Sequence, residues 1–265
     1  MRNIPFSSSP LAEPASTRWI KSASLKSARV YASSIILLDG RIWILGGLGD
    51  NSVLKSTEIL EQRVDGEWEV HKGPDLPTAL LGHCVEHIHE GKILLTGGFD
   101  GKTATTTTYE FEWVDEYSGK WVKRPWSDLG IERYDHVCYS IDGTVYVTGG
   151  WHENFVEELS SQKYNVSTKK WEESNPKIID VPILRSSKIG EADGKMALIG
   201  GVSCQINNSL SNGKNCTKPR NVYVLKSNSE SVYEWKISEN VISMPRSSHA
   251  LIIVPTSIDF ACKVD

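Results

Sequence analysis

The sequence predicts an all-β repeat protein, and three observations carry that prediction. Glycine pairs end at Gly47, Gly98, Gly150 and Gly201, 51, 52 and 51 residues apart. Each pair closes a short β-type apolar run: WILGG, LLTGG, YVTGG and ALIGG. A two-residue turn precedes every pair, and a tryptophan follows it: Trp68, Trp121, Trp171 and Trp235. A period near fifty residues marks one supersecondary unit copied and stacked. Hardly any segment carries helical periodicity.

Each unit opens with a hairpin. The turns are Asp39-Gly40, Glu90-Gly91, Asp142-Gly143 and Asp193-Gly194; glycine after a short acidic residue accepts the positive φ of a type I′ turn. First strands precede them, such as Ser34 to Leu38 and Val137 to Ile141. Second strands follow at Ile42 to Leu45, Ile93 to Leu95, Val145 to Val147 and Met196 to Ile199. Their near-continuous apolar character indicates cover on both faces, and they are expected to be the inner strands. Third strands run from Thr105 to Trp113 or from Leu159 to Tyr164, and the tryptophan begins the fourth. From glycine pair to tryptophan the distances are 21, 23, 21 and 34 residues, so the fourth unit carries an insertion within Ser203 to Arg220.

Four strands in about fifty residues is the unit of a β-propeller blade. The third unit shows every marker in phase: Arg133-Tyr134-Asp135-His136, Asp142-Gly143, Gly149-Gly150, Tyr164 and Trp171. This pattern resembles the kelch repeat over roughly Arg29 to Trp235. The resemblance implies a kelch-type β-propeller of four full four-stranded blades, about 29–77, 78–130, 131–183 and 184–244, with partial strands at both ends. Residues 1–16 are expected to lack a fixed fold, and residues 17–28 and 245–265 to pair as a closing blade. The result is about five blades; an open fragment of a six- to seven-bladed ring is the alternative.

The departures are specific. No aromatic stands seven residues before Trp68, and Leu80-Leu81 occupies the second unit's arginine position.

A net charge of -4, from 29 basic and 33 acidic residues spread along the chain, gives no footprint for nucleic acid. The sequence contains neither a membrane-spanning apolar stretch nor a secretion signal. Five cysteines without a CxxC favour free thiols, hence a cytoplasmic protein. A secreted, glycosylated domain is the alternative. Cys204 and Cys216 bracket a polar loop, and N-x-S/T occurs at Asn165, Asn207 and Asn215.

The resemblance implies partner-protein binding on the face formed by loops leaving the second strands and loops entering each blade. The residues placed there are Arg29, Tyr31, Leu48, Asp50, Asn51, Phe99, Asp100, Lys102, Arg133, Tyr134, Asp135, Trp151, His152, Asn154, Arg185, Ser186, Arg246 and Ser247. Arg, Tyr and Trp are the residues of binding hot spots. The heading arginines, being repeat-phased, also fit a scaffold role pairing blades. Phe99 and Trp151, immediately after glycine pairs, fit binding better.

No metal site, cofactor or catalytic constellation is expected. His83, His87 and His89 alternate on one strand without completing a ligand set, and are expected to be exposed. Kelch-type copper oxidases require a cross-linked tyrosine and cysteine with two histidines at the axis. Cys84 and Cys138, in first strands, are expected instead to be buried as small apolar residues. A substrate-recognition role in a ubiquitin-ligase adaptor is implied only by analogy, since nothing resembling the BTB domain of such adaptors stands in residues 1–28.

Overall fold

The computed structural model describes residues 22–124, 127–152, 156–157, 160–174, 188–192, 195–201, 203–206, 214–217, 220–227, 233–241 and 243–244. They form four antiparallel four-stranded sheets, the blades of a β-propeller. Blade 1 is β1 (Ser33–Ile36), β2 (Ile42–Leu45), β3 (Thr57–Gln62) and β4 (Trp68–Gly73). Blade 2 is β5 (Cys84–His87), β6 (Ile93–Thr96), β7 (Thr108–Trp113) and β8 (Gly119–Val122). Blade 3 contains β9 (Val137–Ile141) and β10 (Thr144–Thr148), then a short hairpin of β11 (Trp151–His152) and β12 (Val156–Glu157), then β13 (Ser161–Asn165) and β14 (Lys170–Glu173). Blade 4 begins with β15 (Lys188–Ala192) and β16 (Lys195–Ile199). The predicted insertion follows as a hairpin, β17 (Ser203–Ile206) with β18 (Lys214–Thr217), before β19 (Asn221–Ser227) and β20 (Tyr233–Val241). Of the segments expected to close the ring, 17–21 and 245–265 lie outside the described residues, while 22–28 form no strand and the Lys26 and Ser27 N–H groups donate to Glu58.

The innermost strand of each blade is the first, not the second as the apolar runs suggested. First strands meet across blade junctions: the Ser33 hydroxyl donates to the His83 carbonyl, and Cys138 Sγ lies 3.4 Å from the Val85 carbonyl oxygen. Second strands are apolar because they lie between two strands of their own sheet, with neighbouring blades on both faces. Trp43, Leu45, Ile93, Leu94, Leu95, Val145 and Val147 are accordingly buried.

The turns differ in detail. Asp142 and Gly143 both take positive φ, 48° and 75°, as a type I′ turn requires. At Asp39-Gly40 only the glycine does, and His89–Gly91 closes its hairpin with one 3-10 turn.

The fourth-strand tryptophans of blades 2, 3 and 4, which stand one or two residues inside their strands, reach the preceding blade. Trp121 Nε1 donates to the Asp75 carbonyl at 3.1 Å, Trp171 Nε1 to Thr108 Oγ1 at 3.0 Å, and Trp235 Nε1 lies 3.4 Å from Tyr139 Oη. Between blades 1 and 2, Trp43, Phe111, Trp113 and Trp121 form a ring cluster with centroids 4.7–5.7 Å apart. Arg41 stacks over Tyr117 and Trp113 at its edge.

Candidate functional site

The predicted face is assembled by one backbone device used three times. The residue after each glycine pair forms an antiparallel bridge with the second residue of the segment entering that blade: Val30 with Leu48, Leu81 with Phe99, and Tyr134 with Trp151. Each bridge has two hydrogen bonds of 2.7–3.0 Å. The glycine pair then admits the next blade. Gly47 N–H donates to the Leu80 carbonyl, and Gly98 N–H to that of Arg133, both at 2.8 Å. A Cβ on Gly97 would stand 2.4 Å from the Arg133 carbonyl oxygen, where φ is already +56°.

The next residue in each entering segment, Tyr31, Gly82 and Asp135, is left-handed, with φ of 55°, 58° and 53°. Gly82 N–H donates to the Tyr31 carbonyl and Asp135 N–H to that of Gly82, linking blades 1, 2 and 3. For tyrosine this conformation is uncommon and costs energy. Nevertheless Tyr31 is 40% exposed, beside Val30 at 56% and Leu48 at 36%. Three large apolar side chains are thus held in solvent by a fixed backbone. Asp50, Asn51, Asp100 and Lys102 are exposed at neighbouring loop tips, with Phe99 half-buried against the Tyr134 ring at 5.3 Å. Hydrogen bonds from the Thr103 and Lys102 backbone N–H groups hold the Asp100 carboxyl below its ordinary range.

Other predicted residues are structural. The Arg29 guanidinium donates to the Gly46 carbonyl at 2.7 Å, the Ser56 carbonyl at 2.9 Å and Glu58 Oε1 at 2.6 Å. Arg133, fully buried, repeats this on the Gly149 and Ser160 carbonyls at 3.1 and 3.0 Å. Each of these two arginines therefore latches the entering segment to its own blade. Leu80, also buried, replaces the latch in blade 2. Trp151 is only 2% exposed, and Tyr134 and Asp135 are buried, so none offers an open binding surface. His152, half-buried, lies 4.0 Å from Glu132. Asn154, Arg185, Ser186, Arg246 and Ser247 lie outside the described residues.

Val30 escaped the sequence reading, although its phase could have identified it. It occupies the same repeat position as Tyr134, which was named. Ile131, 37% exposed before Arg133, carried no comparable signal.

Two further expectations are corrected. His83 is buried rather than exposed, with no protein partner for either ring nitrogen among the described residues. Burial lowers its pKa to about 3. The equivalent His136 shares a 2.9 Å hydrogen bond with Thr96; the residue at the Thr96 position of blade 1 is Leu45, which has no polar group to share. Second, Cys84 and Cys138 are not free thiols but a disulfide with Cα atoms 6.0 Å apart. The bond occupies both sulfurs, leaving neither for a tyrosine cross-link. Among the described residues no group of three His, Cys, Asp or Glu could hold a metal ion. Asn165 accepts from the Ser167 and Thr168 N–H groups at 3.1 Å, which explains it as a turn residue.

No family model matches the chain. It is 28% identical to Kelch-like protein 40 of Xenopus laevis over 152 residues, 54% of this chain and 24% of that one. It is 26% identical to Spermatocyte protein spe-26 of Caenorhabditis elegans over 141 residues, 53% and 23%. A third similarity is to Kelch repeat and BTB domain-containing protein 1 of Horsepox virus, 24% over 172 residues, 63% and 28%. The chain therefore matches about a quarter of the length of these curated relatives. The solved structure of YjhT superimposes with a TM-score of 0.67 at 13% identity, covering 89% of this chain and 78% of that one. Blade topology makes the chain a β-propeller of four described blades, and its repeat phase and these similarities liken it to kelch-repeat proteins.

Proposed function

We propose that the chain is a non-catalytic recognition module that binds a partner protein through the face bearing Tyr31, Val30, Leu48 and Phe99. One observation carries this reading: Tyr31 holds a left-handed backbone and yet exposes its ring beside an exposed Val30–Leu48 bridge. The inter-blade link through the Tyr31 carbonyl explains the backbone but not the aromatic ring, since glycine and aspartate fill the same position in blades 2 and 3; an exposed tyrosine there fits a recognition role. Similarity to kelch-like proteins supports the same reading.

The finer proposal is substrate recognition within a cytoplasmic ubiquitin-ligase adaptor. Its support is the similarity to a protein named for kelch repeats and a BTB domain, a combination that serves such adaptors in the family this chain resembles.

Quantitative affinity purification tests the face, comparing the wild-type chain with a Tyr31→Ala, Leu48→Ala variant and with Val64→Ser, Val114→Ser. Val64 and Val114 are exposed on the opposite hairpin turns. Loss of the same proteins from the first variant alone supports the reading. Equal recovery by all three sinks it.

A further inference from the structure

The innermost strands carry an alternation that gives two cysteines a shared task. In blade 1 the first residue of the strand, Ser33, reaches forward to the His83 carbonyl of blade 2. Strand register places Cys84 at the corresponding position of blade 2, so its side chain points forward to blade 3. Cys138 is the second residue of β9 and points backward. Their disulfide therefore spans the junction that a serine hydroxyl spans one blade earlier, and both residues are partly exposed.

We propose that Cys84 and Cys138 form a reversible thiol–disulfide site that clasps blades 2 and 3 directly beneath the recognition face. Cys84 follows Leu81-Gly82-His83, and Cys138 follows Tyr134-Asp135-His136-Val137. The bond thus fixes the segments that carry the Gly82-to-Asp135 hydrogen bond. Its effect on a partner rests on the function proposed above; its chemistry does not. One thiolate attacks glutathione disulfide and releases one glutathione thiolate. The second attacks the resulting mixed disulfide at the protein sulfur and releases the other. Two protein thiols lose two electrons and two protons, and one glutathione disulfide gains them. Both residues are partly exposed, which suits exchange with glutathione.

The test equilibrates the full chain in glutathione buffers, from fully reduced to fully oxidised. Alkylation and peptide mapping follow, with thermal melting and amide exchange read on the same samples. We expect the Cys84–Cys138 linked peptide to appear with oxidation and to disappear on return to millimolar reduced glutathione. The oxidised form should melt roughly 5–10 °C higher, since the bond closes a long loop. Exchange at Gly82 and Asp135 should slow several-fold on oxidation. Cys138→Ser should melt like the reduced wild type in every buffer. Three results would overturn the proposal: thiols that never pair, a disulfide that millimolar glutathione cannot open, or identical melting and exchange in both states. None depends on finding a partner, so failure here is distinguishable from failure of the recognition face.

Discussion

Tyr164 of blade 3 donates its phenolic hydrogen to Glu110 of blade 2, oxygen to oxygen 2.9 Å, across a buried junction. Lys169 and Arg124 reach the same carboxylate at 2.9 and 3.2 Å. Burial alone would push the Glu110 carboxyl up, but these three partners outweigh it and hold it below its ordinary value. Burial, together with the same contact with Glu110, raises the Tyr164 pKa well above its ordinary value. A carboxylate with a buried hydroxyl and two cations is a high-stakes junction, because removing one member strands the others.

Tyr164→Phe should therefore cost about 2 kcal/mol, the value of one hydrogen bond to a charged group. Glu110→Ala should cost about 3 kcal/mol or more, since it leaves a buried phenol without its acceptor. Urea unfolding of both variants checks the ordering, and equal losses would contradict it.

Acid should weaken the fold at several groups, His83, His136 and Glu110 among them; burial lowers the pKa of His136 as it does that of His83. The pKa of His83 is about 3 in the folded protein against an ordinary 6.5. The neutral ring is thus the stable form, and its stabilisation is complete above pH 6.5 and lost progressively as pH falls towards 3. Glu110 has a lowered folded pKa, so its contribution holds above the ordinary glutamate value and is lost at lower pH. His83→Leu should make the decline between pH 6.5 and 4.5 shallower, with the part due to His136 and the later loss at Glu110 left in place. Urea midpoints across that range would reveal an unchanged slope if the assignment were wrong.

Glycines of similar backbone angle should respond very differently to alanine. Gly97 has φ of +56° and a carbonyl where the Cβ must go, so Gly97→Ala should cost roughly 3 kcal/mol or more. Gly40 has φ of +89° and nothing within 4 Å of the added carbon. Gly40→Ala should cost about 1 kcal/mol, from the backbone alone. Thermal melting of the pair measures the difference directly.

Trp171 packs on Tyr164 with ring centroids 5.1 Å apart and donates to Thr108 of blade 2. Trp171→Ala should cost about 3–4 kcal/mol through the cavity, whereas Trp171→Phe, which keeps most of the packing, should cost about 1–2 kcal/mol. An unaltered urea midpoint for the alanine variant would remove the tryptophan from the junction.

The sequence by itself determined the blade. Period, hairpin turns and phased tryptophans are local or repeated signals, and each recurs because every copy satisfies the same strand pairing. Phase also gave the face, since loops at one end of antiparallel strands must share a side. Which residues on that face are open was decided only by tertiary structure. Val30, Leu81 and Tyr134 occupy one repeat position, yet exposure falls from Val30 to a buried Tyr134 because neighbouring blades cover them differently. Arg133 and Trp151 read as binding residues by type, but packing turned one into a latch and the other into core. The cysteines were illegible for the same reason: Cys84 and Cys138 are 54 residues apart, and only the stacking of two innermost strands makes them neighbours. Contacts within a blade follow from repeat spacing, whereas contacts between blades depend on how rigid sheets meet, and that distance is not written in any local pattern.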